Sequence, residues 1–370
     1  MSFLRSLWGF VKKETVLSVA ILLAILSMFF VPPNAGYASY IDWETLSMLF
    51  SLMAVMKGFQ KAGLFQFLGS GLLHHTRTNR GMMMVLIFLP FFCSMVVTND
   101  VSLITFVPFA LIVLRMAGQL KLMVPVVVLQ TIAANLGSML TPMGNPQNLY
   151  LYTQSGMGFF SLVMIHLPYV LLSAAALLLL IFLRKKEPTA TAAAPTGFSG
   201  SKPLFLSIAG FILCLFGIFD LLSPLWIALV VALFLLVTDR KLLLSVDYGL
   251  LGTFIAFFIF IGNIGCIGPF REFLESILSG HEVLVAVLAS QITSNVPAAL
   301  LLSGFSNNWP ALMVGCNIGG LGTLIASMAS LISYKLVVRD FPEQKGKYFA
   351  QFTLYNIGFL AALLILWWIL

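Results

Sequence analysis

The chain has 370 residues, of which 60% are hydrophobic and 9% charged, with a formal net charge of +7. A soluble domain carries about 25% charged residues, so this chain has too little polar surface to coat a water-facing globule, and lipid must be the solvent for much of it. The Lys and Arg residues fall in short clusters between apolar runs, which makes them topology signals and not a nucleic-acid surface; no nucleic-acid partner is expected.

Apolar runs of about 20 residues recur, the length that crosses a bilayer as a helix. They are rich in Leu, Ile, Phe and Gly and lack the alternation of a barrel strand, which excludes a β-barrel. The expected fold class is an all-α membrane protein. Cys93, Cys214, Cys266 and Cys316 lie singly in apolar stretches, without metal spacing or a CxxC pair, and read as small buried hydrophobes.

In chain order, Arg5, Lys12 and Lys13 place the N-terminus in the cytoplasm. A first span over 15–31 has no signal-peptide cleavage site after it and leads to the loop 32–42, which lacks Lys and Arg. A second span, 43–59, returns at Lys57 and Lys61. The stretch 60–80 is polar and interrupted by glycine, and fits a helix lying on the cytoplasmic surface. The apolar segment 81–114 carries Thr98-Asn99-Asp100 in its middle, with Arg80 before it and Arg115 and Lys121 after it. A single crossing would put one basic cluster outside. A re-entrant hairpin keeps both inside and leaves a polar tip at membrane depth, which protein or water must bury. Segment 122–155 is too long for one plain helix, and Gly137, Pro142, Gly144 and Pro146 break it near mid-depth; it reads as a discontinuous span going out. Span 158–183 returns to Arg184-Lys185-Lys186, and 187–202 is a low-complexity cytoplasmic linker.

The second half, 203–370, follows the first half, 1–186. Spans at 203–219 and 224–238 go out and back to Arg240-Lys241. Span 246–262 goes out, and 263–281 lies at the outer interface. Residues 282–304 hold a second polar break, Thr293-Ser294-Asn295-Val296-Pro297, read as a hairpin entering from outside. Span 310–334 carries Asn317-Ile318-Gly319-Gly320-Leu321-Gly322-Thr323 and lands at Lys335, Arg339, Lys345 and Lys347. The last span, 350–370, ends outside. This reading, with about nine transmembrane helices and two re-entrant hairpins, puts all of the 20 Lys and Arg except Arg271 on the cytoplasmic side.

An internal repeat runs through the same segments. Thr98-Asn99 matches Ser294-Asn295 at a shift of 196 positions, Asn135-Leu136-Gly137 matches Asn317-Ile318-Gly319 at 182, where Thr141 also falls on Thr323, and Asp42-Trp43 matches Asp247-Tyr248 at 205. The span after Trp43 runs inward and that after Tyr248 outward, so the copies are inverted. Inverted repeats with discontinuous helices are a secondary-transporter architecture.

Each tip and break frees backbone groups inside the membrane, where helix N-termini attract anions and unwound carbonyls and side-chain oxygens replace a cation's water shell. One cluster is Thr98, Asn99, Asp100, Asn135, Gly144, Asn145 and Asn148; the other is Ser294, Asn295, Asn317, Gly319, Thr323, Ser327 and Ser330. Asp100 is the one acidic residue placed deep in the membrane, a costly position that is functional by default. It is suited to ligate Na⁺, carry a proton or hold a cationic substrate. The bland alternative for the polar residues is helix–helix glue, and His166 reads as a packing histidine before a proton relay. Nucleotide loops, metal motifs and nucleophile–base pairs are absent from the sequence, so no enzyme and no resident cofactor are expected beyond Na⁺ or H⁺ as coupling ion.

The segments 98–109, 135–152, 293–298 and 317–323 resemble the ion transporter superfamily, which includes divalent-anion/sodium symporters, citrate permeases, arsenite efflux permeases and some sodium/proton antiporters. The resemblance covers about 40–370. It implies that Thr98-Asn99-Asp100 and Ser294-Asn295-Val296 hold substrate and Na⁺, with Gly144-Asn145-Pro146 and Gly322-Thr323 adding ligands. Asp100 and Val296 stand where the symporters carry Thr, and the Asn-Asp tip is closer to the arsenite permease branch. The resemblance further implies a homodimer and an elevator-like movement. The expected substrate contacts are Thr98, Asn99, Asp100, Asn145, Pro146, Ser294, Asn295, Val296 and Thr323. The expected Na⁺ ligands are Asn99, Asp100, Asn135, Gly144, Asn295, Asn317 and Gly319.

The function read from the sequence is a cation-coupled secondary transporter, a permease or symporter for a small anion such as a carboxylate or oxyanion, in the bacterial inner or plasma membrane. An arsenite efflux permease or sodium/proton antiporter using Asp100 is the alternative, and a membrane-embedded enzyme or scaffold the remote one.

Overall fold

A computed structural model describes residues 14–34, 36–189 and 201–370. Arg5, Lys12, Lys13 and positions 190–200 of the expected linker lie outside the described residues. The elements are helices throughout, as apolar segments must be where lipid offers their backbone no partner; among the described residues the one β pairing is the isolated bridge Thr78–Pro188.

The first half contains α1 (Thr15–Met28), the short α2 (Tyr37–Tyr40), α3 (Trp43–Ala62), α4 (Leu64–Leu73), α5 (Asn79–Cys93) and α6 (Asn99–Met116). After these come α7 (Met123–Ser138), a 3₁₀ turn (Pro142–Gly144), α8 (Pro146–Ser155) and α9 (Phe159–Phe182). The second half contains α10 (Ser201–Ile218), α11 (Pro224–Thr238), α12 (Arg240–Leu244), α13 (Tyr248–Gly265), α14 (Gly268–Leu278), α15 (Glu282–Thr293) and α16 (Asn295–Ser303). It ends with α17 (Trp309–Gly319), α18 (Met328–Asp340) and α19 (Lys345–Ile369). Asp42 starts α3 by accepting from the Thr45 N–H at 3.0 Å, and Asp247 starts α13 by accepting from the Leu250 N–H at 2.9 Å. Both are side-chain caps that satisfy one of the orphan donors of a first turn. The segment 60–80 contains α4, preceded by Gly63 at φ +74°.

Among the described residues, five helical stretches are long and apolar enough to cross a bilayer: Asn99–Met116, Leu120–Ser138, Phe159–Phe182, Tyr248–Gly265 and Pro342–Ile369. The pair α14 and α15, bent by 112°, makes a sixth if the two are counted as one span. Helices α1, α4, α5, α10 and α11 are apolar but shorter. At a rise of about 1.5 Å per residue such helices fall short of a ~30 Å hydrocarbon core. The fold is thus an all-helical multi-pass membrane protein.

Near neighbours pack together, α5 on α7 and α15 on α17, and so do sequence-distant partners. α1 lies against α13, and α3 against α10 and α11. α6 packs on α18, α16 on α8, and α19 on α7. Helix α7 sits at the centre, with every residue from Met123 to Ser138 buried, as expected of a helix apolar all round.

Helix ends also pair by kind. Lys61 bonds Asp239, Lys121 Nζ lies 2.7 Å from Glu187, the Arg80 Nε donates to the Arg184 carbonyl at 2.6 Å, and the Arg115 guanidinium lies 5.7 Å from the Phe341 ring centre. Gln154 donates to Asp42 at 2.7 Å, Tyr152 to the Ile218 carbonyl at 2.9 Å, and Asn263 to Ser27 and Tyr37 at 2.9 Å each. Ends bearing the basic clusters meet one another, and ends joined by loops poor in Lys and Arg meet one another.

Candidate functional site

Four interruptions define the centre of the molecule: 94–98 between α5 and α6, 139–145 between α7 and α8, Ser294 between α15 and α16, and 320–327 between α17 and α18. Glycines allow the close approach that the interruptions need. A Cβ on Gly137 would lie 2.1 Å from the Phe91 carbonyl oxygen and 2.7 Å from Ser94 Oγ. A Cβ on Gly319 would lie 2.7 Å from Ser290 Oγ and 3.0 Å from Val287 Cα. On Gly144 it would lie 2.0 Å from the Ser138 carbonyl oxygen.

Two buried asparagines reach across the interface between the halves. Asn135, near the end of α7, accepts from Asn99 Nδ2 at 2.9 Å and from Ser327 Oγ at 3.2 Å, and its own Nδ2 donates to Ser330 Oγ at 3.4 Å. Asn317, near the end of α17, accepts from Asn145 Nδ2 at 3.3 Å and donates to Asn148 Oδ1 at 2.5 Å. Asn145 also donates to Ser138 Oγ at 3.0 Å and accepts from the Asn148 N–H at 3.0 Å, which caps α8. The bonds Asn317–Asn145/Asn148 and Asn135–Ser327/Ser330 are therefore counterparts of each other under the shift of 182. A second matched pair ties tips to breaks: Thr141 Oγ1 donates to the Met95 carbonyl, and Thr323 Oγ1 to the Gln291 carbonyl at 3.2 Å.

The Ser294 tip is held in an unusual conformation. Ser294 has φ +77° and ψ 155°, a region that costs a non-glycine residue about 1–3 kcal/mol. The Asn295 N–H donates to the Ala326 carbonyl at 2.9 Å, and Ser294 Oγ lies 3.4 Å from the same oxygen. Contact with the break of the same half thus holds the tip in place. Asn295 and Val296 are buried, and the Asn295 amide lies beside Gly320.

The remaining expected residues are distributed as follows. Thr98 starts α6 without a side-chain capping bond, and the Asp100 N–H donates to Asn99 Oδ1 at 2.9 Å. The Asp100 carboxylate is half-buried and accepts no hydrogen bond from the described residues. Pro146 is buried at the first turn of α8, and Thr323 is exposed and bonded to Gln291. Thr98, Asp100, Pro146 and Thr323 make no side-chain hydrogen bond to the asparagine network among the described residues.

Two participants were not singled out as site residues by sequence. His166 is buried on α9; its Nδ1 lies 3.0 Å from the Leu162 carbonyl and its Nε2 3.2 Å from Asn317 Nδ2. Nδ1 therefore carries the proton, and Asn317 Nδ2 also faces the Met313 carbonyl at 2.8 Å. The side chain is fully buried, and its Nε2 faces the central network. Gln291 at the end of α15 bonds three backbone groups of the 319–323 segment. The signal for it was a carboxamide in the last turn before a polar break.

The centre offers uncharged amides, hydroxyls and backbone groups from both halves and one carboxylate nearby, arranged around helix ends inside lipid. This suits dehydrated binding of a small solute and defines a multi-pass membrane transport protein. The chain belongs to the citrate transporter family, whose profile matches residues 7–308. It is 33% identical to an uncharacterized transporter of Methanocaldococcus jannaschii, over 86% of this chain and 87% of that protein. It is 30% identical to the inner membrane protein YbiR of Escherichia coli, over 91% and 90%. A shorter similarity, 33% over 41% of this chain and 31% of the relative, links it to a silicon efflux transporter of Oryza sativa. The chain is a membrane transporter and not an enzyme.

Proposed function

We propose that this transporter is a cation-coupled secondary carrier that moves a small anion, a carboxylate or inorganic oxyanion, with Na⁺ or H⁺ as coupling ion. The observation that carries the reading is the crossed asparagine arrangement, in which Asn135 and Asn317 each bond to residues just past the other half's break. Matched bonds at the repeat's shifts support two inverted copies, with α5–α6 and α15–α16 as re-entrant hairpins and α7–α8 and α17–α18 as broken spans. The pairing of basic ends with basic ends supports a cytoplasmic N-terminus and an external C-terminus. Substrate would lie against the helix N-termini at Asn99, Pro146 and Asn295, its charge offset by those ends and by the cation. A homodimer moving by an elevator-like shift accords with the superfamily resemblance.

Proteoliposome flux tests this. Na⁺- or H⁺-driven uptake of a labelled carboxylate or oxyanion is expected, and its loss in Asp100→Asn with normal expression would tie the carboxylate to coupling. Absence of any driven flux would sink the proposal. A second reading, efflux of a neutral hydroxide such as arsenous or silicic acid in exchange for protons, is favoured by Asp100 at the tip and by the silicon efflux relative. It predicts proton movement on adding the hydroxide, with no Na⁺ requirement.

A further inference from the structure

The 319–323 segment leaves helix α17 and exposes carbonyls that have lost their helical donors. Those of Gly319 and Leu321 converge on one atom, Gln291 Nε2, at 2.9 Å each, and the Val287 carbonyl lies 3.2 Å from it. Gln291 Oε1 meanwhile accepts from the Thr323 N–H at 2.9 Å. An amide NH₂ has two protons to give, so the group is fully committed by these acceptors. Gly322, at φ +105°, makes the turn, and a Cβ there would lie 2.3 Å from Gln291 Oε1. Several carbonyl oxygens facing one point are what a monovalent cation accepts in place of its hydration shell. Here that point holds an uncharged donor tethered to the neighbouring helix.

The first break differs. Position 95, the counterpart of Gln291, is Met, which has no amide to offer. The carbonyls of Ser138, Met139 and Thr141 are met at 3.1–3.4 Å by Asn148, from the same interrupted segment, whose oxygen is already committed to Asn317. The nearby carboxylate, Asp100, belongs to this half, where the tip follows Met95.

We propose that Gln291 is a built-in substitute for a cation. Its amide fills the carbonyl cage of the second break, so this cage takes no ion and the coupling cation binds elsewhere. The coupling clause rests on the carrier reading above; the cage and its occupant do not.

The experiment is thermal unfolding of the purified full chain at alkaline pH, in Na⁺ against the same ionic strength of N-methylglucamine. Gln291→Glu replaces the donor with a carboxylate facing carbonyls, a cluster that a cation relieves. Its Tm is expected to rise with Na⁺ by roughly 3–6 °C more than that of the wild type. Gln291→Met removes the donor at similar volume and is expected to show a smaller gain of the same sign; it serves alone if the Glu variant does not fold. Equal Na⁺ responses in wild type and variant would overturn the proposal. A gain in the variant without driven flux in the wild type leaves the cage standing and removes the carrier reading. Na⁺-driven flux without a gain does the reverse.

Discussion

Gly137→Ala opposes two effects of known sign. Gly137 lies inside α7, where alanine favours the helix by up to about 1 kcal/mol. The new Cβ, however, would sit 2.1 Å from the Phe91 carbonyl oxygen and 2.7 Å from Ser94 Oγ, far inside the ~3.5 Å at which such contacts become favourable. The nearest obstacle is backbone of a packed helix and has no rotamer by which to yield. Overpacking of this kind costs about 1–3 kcal/mol and sometimes more, and against backbone it lies toward the upper end, so the loss outweighs the propensity gain by up to about 2 kcal/mol. Gly71 in α4 is the control, because its added Cβ meets nothing within 4 Å. Thermal unfolding in detergent should show Gly137→Ala lower than wild type and Gly71→Ala equal or higher. A Gly137→Ala protein as stable as wild type would refute the claim that α5 and α7 touch backbone to backbone at the break.

Further outcomes follow from other contacts. His166→Ala opens a cavity in a fully buried site beside Asn317, and a loss of about 2 kcal/mol or more is expected by denaturation; His166→Asn should recover part of it. At Ser294, whose φ is +77°, Val is expected to destabilise by more than 1 kcal/mol, about the strain of that conformation, whereas Gly should be near neutral; a tolerated Val would mean the tip relaxes. Bonding to Lys121 holds the Glu187 carboxyl below the usual carboxylate range. A lowered folded value means a contribution present above the unfolded value of about 4.3 and lost as pH falls through the folded one. Lys121→Gln should therefore lower Tm slightly at neutral pH and leave it unchanged at the acid end, flattening the acid limb of a Tm–pH profile, by a small amount because both side chains are solvent-facing; superimposable profiles would contradict this.

The positions of the interruptions were legible because Gly, Pro and Asn punctuate an otherwise apolar chain. Gly144-Asn145-Pro146 becomes a turn followed by a capped helix, and Asp42 and Asp247 start helices as their matching places suggest. The partners across the centre were less so. That Asn135 meets Ser327 and Ser330 follows from how two broken helices cross, which no periodicity records. Helices α1, α10 and α11 are apolar on most faces, so no stripe announces that α1 belongs with α13 and α10 with α3. Gln291 was passed over because one amide in an apolar helix looks like helix glue; only the converging carbonyls give it a distinct role. The short helices also left the number of crossings open, since length alone does not tell a spanning helix from one that dips and returns.

The pairing of α1 with α13 and of α3 with α10 and α11 has a consequence for biogenesis. The ribosome releases α3 well before its neighbours exist, and at about 5–20 residues per second the early helices wait many seconds in the bilayer with unmatched sides. Residues 1–186 expressed alone should be captured by quality control and degraded, while the same piece made together with residues 203–370 should be rescued.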